Sequence, residues 1–216
     1  MKQSPTDASA ASYLVQYAQR HGLTIPDDRM DLLETLILWL APASHRIGLT
    51  KYADPLTMSK QLVAPALLLL KLLLKPEFLT QAPSPMLDFG AGSGAIGLSL
   101  AALMPEHEIV LADRRRRVVQ FLDIAARRHH LDNCGCLLVD LGRPTPDWQS
   151  HFGTVLVRAF GPVDQALTDA RSWLRPGGTV ALWRQPDASG TPDGLSALWT
   201  EETELPSLVL TLYQRT

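Results

Sequence analysis

Met86-Leu87-Asp88-Phe89-Gly90-Ala91-Gly92-Ser93-Gly94-Ala95-Ile96-Gly97 decides how the rest of the chain reads. Met86 to Phe89 is a short apolar run suited to a buried strand, and a glycine-packed turn separates it from an apolar helical stretch. Glycines at such a turn permit positive φ and let a ligand lie directly against the main chain. The segment is therefore a strand, a turn and the start of a helix, with the carboxylate of Asp88 near the strand's end. Gly92-Ser93-Gly94-Ala95-Ile96-Gly97 is a literal G-x-G-x-x-G, so the turn by itself would also accept a dinucleotide.

Asp88 shifts that balance. A pyrophosphate would meet a like charge there, whereas the sulfonium and ammonium groups of S-adenosylmethionine would be attracted. Gly90, Gly92 and Gly94 then border the methionine moiety. Downstream, Ile109 to Asp113 reads as the next strand, and Asp113 lies about twenty residues beyond the glycine turn, as a βαβ unit requires. An ionised carboxylate has lone pairs for both ribose hydroxyls, which makes Asp113 the ribose acceptor. Asp140 follows the strand Cys134 to Val139 and is placed to accept from an adenine amino group. Each aspartate can equally be a polar strand terminus or a helix cap.

The alternation continues on both sides of this unit. Ser9 to Arg20 forms a modest helix stopped at Gly22, and Asp28 to Leu40 a second one that Pro42 ends. Ala41 to Pro55 is a connector into an apolar helix reaching Lys75, and Pro76, Pro83 and Pro85 stiffen the approach to the Asp88 strand. Beyond Asp113 come a helix from Arg114 to His130, strands at Cys134 to Val139 and Thr154 to Arg158, a helix from Val163 to Leu174 and a strand from Thr179 to Arg184. The last apolar segments, Leu195 to Thr200 and Leu208 to Tyr213, have no helix between them and read as an antiparallel pair. Five βα units closed by a hairpin give an α/β fold: a doubly wound, Rossmann-like sheet of seven strands with an N-terminal helical extension. The extension takes residues 1–80 and the sheet domain residues 81–216.

The bulk numbers fit one such unit. The chain has 216 residues, 46% of them hydrophobic and 19% charged, as in a globular protein with a sizeable core. A net charge of −2 excludes a global basic field, so any grip on nucleic acid comes from a local patch. Cys134 and Cys136 fit neither a zinc pattern nor a disulfide framework, and the pair His129-His130 has no partner ligand in sequence. No metal is expected. Met1 to Ala11 is polar and is not a signal peptide. Leu62 to Leu74 is apolar but shorter than the roughly 20 residues a span needs, and Lys71 interrupts it. It reads as a helix buried against the sheet, with a membrane-surface contact as the other reading. A cytoplasmic monomer without a membrane partner is the expectation.

Arg114-Arg115-Arg116-Arg117 opens the helix after Asp113, where cations oppose the helix dipole by a few tenths of a kcal/mol each. Local helix stability therefore does not explain them. A solvated face is one reading; a phosphate-contacting patch, led by Arg114 and Arg117, is the other.

Several further segments carry a resemblance across roughly residues 10 to 216. They are Leu49-Thr50 with Asp54-Pro55, the glycine turn itself, and Asp113 with Arg117-Val118-Val119-Gln120-Phe121-Leu122. Val157-Arg158-Ala159-Phe160, Leu174-Arg175-Pro176-Gly177-Gly178 and Leu205-Pro206 complete the set. In these the chain resembles the bacterial 16S ribosomal RNA guanine-N7 methyltransferases known as glucose-inhibited division protein B. The resemblance implies S-adenosylmethionine as cofactor and ribosomal RNA or the small ribosomal subunit as partner. It makes Arg158 the catalytic candidate, holding the target base, and Arg184 a weaker substrate contact where the family carries Lys. The chain departs from the family at Gly48 (Asn), Lys51 (Ala), Gly153 (Asp) and Val157 (Ser). A family His-x-x-Asp-Ser set falls on Leu62, Pro65 and Ala66, none of which can make its hydrogen bonds. A methyltransferase with another substrate, or a catalytically silent cofactor-binding protein on the ribosome, are the alternatives this leaves open.

Overall fold

β1 (Met86–Phe89) is buried at every residue and lies in the middle of the molecule, flanked in parallel by β2 (Ile109–Asp113) and β4 (Phe152–Arg158). The computed structural model describes residues 9–75, 83–140, 142–158, 162–187 and 193–216. β3 (Cys134–Leu138) pairs outside β2, and β5 (Leu174–Arg184) pairs beside β4. β7 (Val209–Arg215) runs antiparallel to β5, and β6 (Leu195–Glu202) antiparallel to β7. The seven strands follow the order β3-β2-β1-β4-β5-β7-β6. Strand order reverses between β1 and β4, which is where such sheets open a crevice at their carboxyl ends.

The helices are α1 (Ala10–Arg20), α2 (Asp27–Arg46), α3 (Pro55–Met58), α4 (Ala64–Leu73), α5 (Ala95–Leu103), α6 (Arg116–Arg128) and α7 (Val163–Trp173). Alternation along the strands sends Met86, Ile109, Leu111, Leu156 and Ala181 into one core with α1 to α6. Leu87, Phe89, Val110, Val155, Val157 and Val180 face the other way, onto Ala166, Leu167, Ala170 and Trp173 of α7. The first core is much the thicker. α1 to α4 pack into the same core as the sheet, and the 80/81 boundary drawn from the sequence falls outside the described residues.

Three expectations need correction. Pro42 does not end α2, which continues to Arg46. Pro42 sits on the exposed side, where water can serve the carbonyl that loses its partner, while Ala41 and Ser44 stay buried and hold the helix down. The five βα units are also too many: among the described residues β3 is followed by a 3₁₀ turn (Pro146–Trp148), and β5 leads to the β6–β7 hairpin without a helix. Pro176-Gly177-Gly178 lies within the extended run of β5, not ahead of it, and Gly177 takes a φ of 76°.

The apolar run from the sequence is an interior helix. Pro55–Leu73 is long and apolar enough to cross a membrane, with a mean hydropathy of 1.4, yet 67% of that window is buried in the protein. Between α3 and α4 the chain makes a π turn over Ser59–Val63. Pro65 explains it, because an interior proline lacks an N–H and its ring crowds the carbonyl four residues back. That carbonyl belongs to Gln61.

Candidate cofactor cleft

The crevice at the β1/β4 reversal is an open cleft of about 570 Å³. Its walls are Asp88, Gly90, Ala91, Ser93, Ala95 and Ile96 on one side, Leu49, Thr50 and Leu62 on another, and Arg158. In the β1–β4 register Phe89 lies opposite Val157, so Arg158 emerges beside Gly90 although far from it in sequence. The sequence named Asp88, Gly90 and Arg158 for this site. It did not name Ser93, and it used Leu49-Thr50 and Leu62 only in the comparison with the resembling family.

The glycine turn is built for close approach. Gly90, Gly92 and Gly94 all have positive φ (80°, 55° and 76°), a region that favours glycine. Gly90 and Ala91 both donate their N–H to the Ala112 carbonyl at 3.0 Å, which ties the turn to β2. Gly94 leaves no room for a side chain, since a Cβ there would lie 2.5 Å from Leu122 Cδ2.

Asp88 is 6% exposed, and its Oδ2 accepts the Gly97 N–H at 3.0 Å. Burial raises its carboxyl to about 7; the Gly97 bond pulls down and the charge of Asp113 pushes further up. A cation in the cleft would favour the ionised form. This fits a sulfonium ligand and disfavours a pyrophosphate.

Asp113 ends β2 with a side chain only 5% exposed. Its Oδ1 accepts from the Arg115 N–H at 2.9 Å and Arg115 Nε at 3.0 Å; its Oδ2 accepts from Arg115 Nη2 at 3.0 Å and the Gly92 N–H at 3.3 Å. Burial pushes this carboxyl up, but the Arg115 bonds outweigh it and hold the group below the ordinary carboxylate value. Arg115 was one of four consecutive arginines, Arg114 to Arg117, and nothing local marked it as the partner. Asp140 stands beyond β3 on an exposed turn, its Oδ1 accepting the Gly142 N–H at 3.2 Å. It is outside the residues lining the cleft.

The expected substrate contacts separate. Arg114 is exposed at the carboxyl edge of β2. Arg117 instead donates from Nη2 to the Ile47 carbonyl at 3.0 Å, capping α2 where a cation also suits the dipole. Arg184 donates to Thr211 Oγ1 and to the carbonyls of Gln185 and Pro186, which fastens the end of β5. Arg158 makes no ion pair with a strand-end aspartate among the described residues. Its Nη2 donates to Gln61 O at 2.5 Å, and its Nη1 is buried without a hydrogen-bond partner among the described residues. Burial lowers its pKa. Ala159 and Phe160, the rest of the Arg-Ala segment, lie outside the described residues. His129 packs edge-on to Trp39 at 5.7 Å, in keeping with a structural role. Among the described residues no group of three potential metal ligands occurs.

Residues 29–190 match the family described as rRNA small subunit methyltransferase G. The chain is 26% identical over 202 residues to a ribosomal RNA small subunit methyltransferase G of Bordetella avium, covering 94% of this chain and 88% of that protein. It is 29% identical over 199 residues to its namesake in an Anaeromyxobacter species, covering 86% of each. Among solved structures, TrmN of Thermus thermophilus matches 73% of this chain and 53% of its own at a TM-score of 0.54 and 19% identity. A methylase of Haemophilus influenzae matches 61% and 86% at a TM-score of 0.50 and 22% identity. These two share the fold.

Proposed function

Because the chain belongs to the rRNA small subunit methyltransferase G family, we propose that it methylates guanine N7 in small-subunit ribosomal RNA with S-adenosylmethionine. It is a methyltransferase by family; the target atom, the cofactor contacts and the RNA partner belong to the proposal. One observation carries it: a single cleft joins the glycine turn and buried Asp88 to Arg158, whose Nη1 has no partner among the described residues.

When bound, S-adenosylmethionine supplies an electrophilic methyl group on a sulfonium. The chain's own residues then position and shield. Asp88 faces the positive end of the ligand, the Gly90 to Gly94 turn lies against it, and Asp113 meets the ribose. Asp140, from its exposed turn, reaches the adenine edge only if that turn folds inward. Arg158 offers Nη1 to the target base, as guanidinium groups suit guanine edges. Guanine N7 is a ready lone pair with no proton to remove, so no general base is required. Positioning alone can lower such a barrier by roughly 7 to 11 kcal/mol. Arg114 is an exposed cation for backbone phosphate, while Arg117 and Arg184 serve the scaffold. A small-subunit RNA substrate is in keeping with a cytoplasmic protein, and a monomer is the form proposed on the ribosomal particle.

Leu62 favours a second reading, a methyltransferase with another substrate. It lines the cleft where the resembling family carries His, and it offers no hydrogen bond. The test is incubation with radiolabelled S-adenosylmethionine and small ribosomal subunits lacking N7 methylation. Label at a guanine N7 supports the first reading; cofactor binding with unlabelled RNA moves the protein to the second.

A further inference from the structure

We propose that Arg115 is a gate on the ribose acceptor, a side chain that the ribose hydroxyls of the cofactor must displace from Asp113 before they can bond to it. The inference rests on the reading of Asp113 as the ribose contact. A carboxylate offers about four lone-pair sites, and here each oxygen of Asp113 already accepts twice. Two of those bonds come from main-chain N–H groups, Gly92 and Arg115, which the turn and the start of α6 fix in place. The other two come from the Arg115 side chain, Nε to Oδ1 and Nη2 to Oδ2, both at 3.0 Å. Two ribose hydroxyls need two acceptor positions, and only the side-chain pair can be given up without unravelling the turn.

The geometry makes that exchange easy. The Arg115 side chain is 55% exposed while that of Asp113 is 5% exposed. The guanidinium can therefore swing into water and recover its hydration, whereas Asp113 cannot leave. Arg114 and Arg116 on either side are exposed as well, so the direction of release is open. A planar guanidinium gripping both oxygens is a better stopper than a lysine would be, because the fork matches the carboxylate. Arg115 thus sets cofactor affinity by competition, separately from any contact the cofactor itself makes.

The test is calorimetry with S-adenosylhomocysteine and its 2′,3′-dideoxy analogue on the full chain, comparing wild type, Arg115→Gln and, as a charge control, Arg116→Gln. Arg115→Gln should bind S-adenosylhomocysteine roughly three- to tenfold more tightly, the scale of a half-exposed bidentate pair. The dideoxy analogue leaves the gate shut, so its affinity should be the same in wild type and Arg115→Gln. Arg116→Gln should match wild type for both ligands. Equal or weaker binding of S-adenosylhomocysteine by a folded Arg115→Gln overturns the gate alone. An equal gain for the dideoxy analogue, or for Arg116→Gln, also overturns it, since the effect would then be general charge. No binding of either ligand by any of the proteins overturns the cofactor reading itself, and the gate with it.

Discussion

The guanidinium of Arg158 is anchored to the main-chain oxygen of Gln61, at 2.5 Å. That oxygen is the one an uninterrupted α-helix would pair with the N–H of residue 65, and residue 65 is a proline. The same proline is buried in α4, directly after the π turn Ser59–Val63. A helix defect thus supplies the acceptor that orients a strand-end arginine.

Pro65→Ala should return an N–H to Gln61 and release Arg158. A hydrogen bond from a charged donor is worth about 1.5 to 3 kcal/mol, so single-turnover methylation should fall about ten- to a hundredfold at saturating cofactor. Cofactor affinity should not change, and Tm should hold or rise as the helix regularises. A wild-type rate in a folded Pro65→Ala protein would separate this anchor from the reaction.

Asp88 should make both stability and cofactor binding depend on pH. Its carboxyl lies at about 7 in the folded chain because of burial, against about 3.9 when unfolded. Between those values the folded state holds a proton that the unfolded state lacks, so stability falls as pH rises through the window. Ionisation favours a cationic ligand, and S-adenosylmethionine affinity should therefore climb from about pH 6 to about pH 8. Asp88→Asn should flatten both profiles and weaken binding, with a Tm at about pH 8 that is a few degrees higher, since 1 kcal/mol shifts Tm by about 2–4 °C at this size. Titration by calorimetry and thermal melts across that range would check it.

Gly97→Ala should be more damaging than its single methyl suggests. A Cβ there would run into Leu111 Cδ2 and lie 2.7 Å from Asp88 Oδ2. Overpacking of this kind costs typically about 1 to 3 kcal/mol, and the displaced carboxylate should also weaken cofactor binding. Denaturant unfolding together with calorimetry would show whether both losses occur; unchanged values would contradict this packing.

The arginines after Asp113 should divide by role. If RNA is the substrate, Arg114→Gln should lower the salt slope of RNA binding by roughly 0.7 to 0.9, the value of one phosphate contact. Arg117→Gln removes the bond to Ile47 O and should instead lower Tm with little change in that slope. Binding isotherms at several salt concentrations, with melting curves, separate the two.

The glycine turn, Asp113 one unit later and the alternation of apolar segments were legible because each is local: strand and helix periods, and turn chemistry, are written over a few neighbouring residues. Pro42 misled because a proline's effect on a helix depends on which side faces water and on what is buried around it, and neither is local. The run Arg114 to Arg117 was legible as charge but not as function. One of those side chains clamps Asp113, another caps α2, and a third points outward.

Sequence by itself determined the strand–turn–helix, the family likeness and two residues, Asp88 and Gly90, that border the cleft on the β1 side. Only the tertiary structure decided what Arg158 and Arg115 touch. Arg158 meets Gln61, 97 residues away in the chain, because the sheet reverses its order between β1 and β4 while the π turn Ser59–Val63 borders the same cleft. Such partners are chosen by packing geometry and by the need of buried polar atoms to find a hydrogen bond, and no spacing along the chain records either.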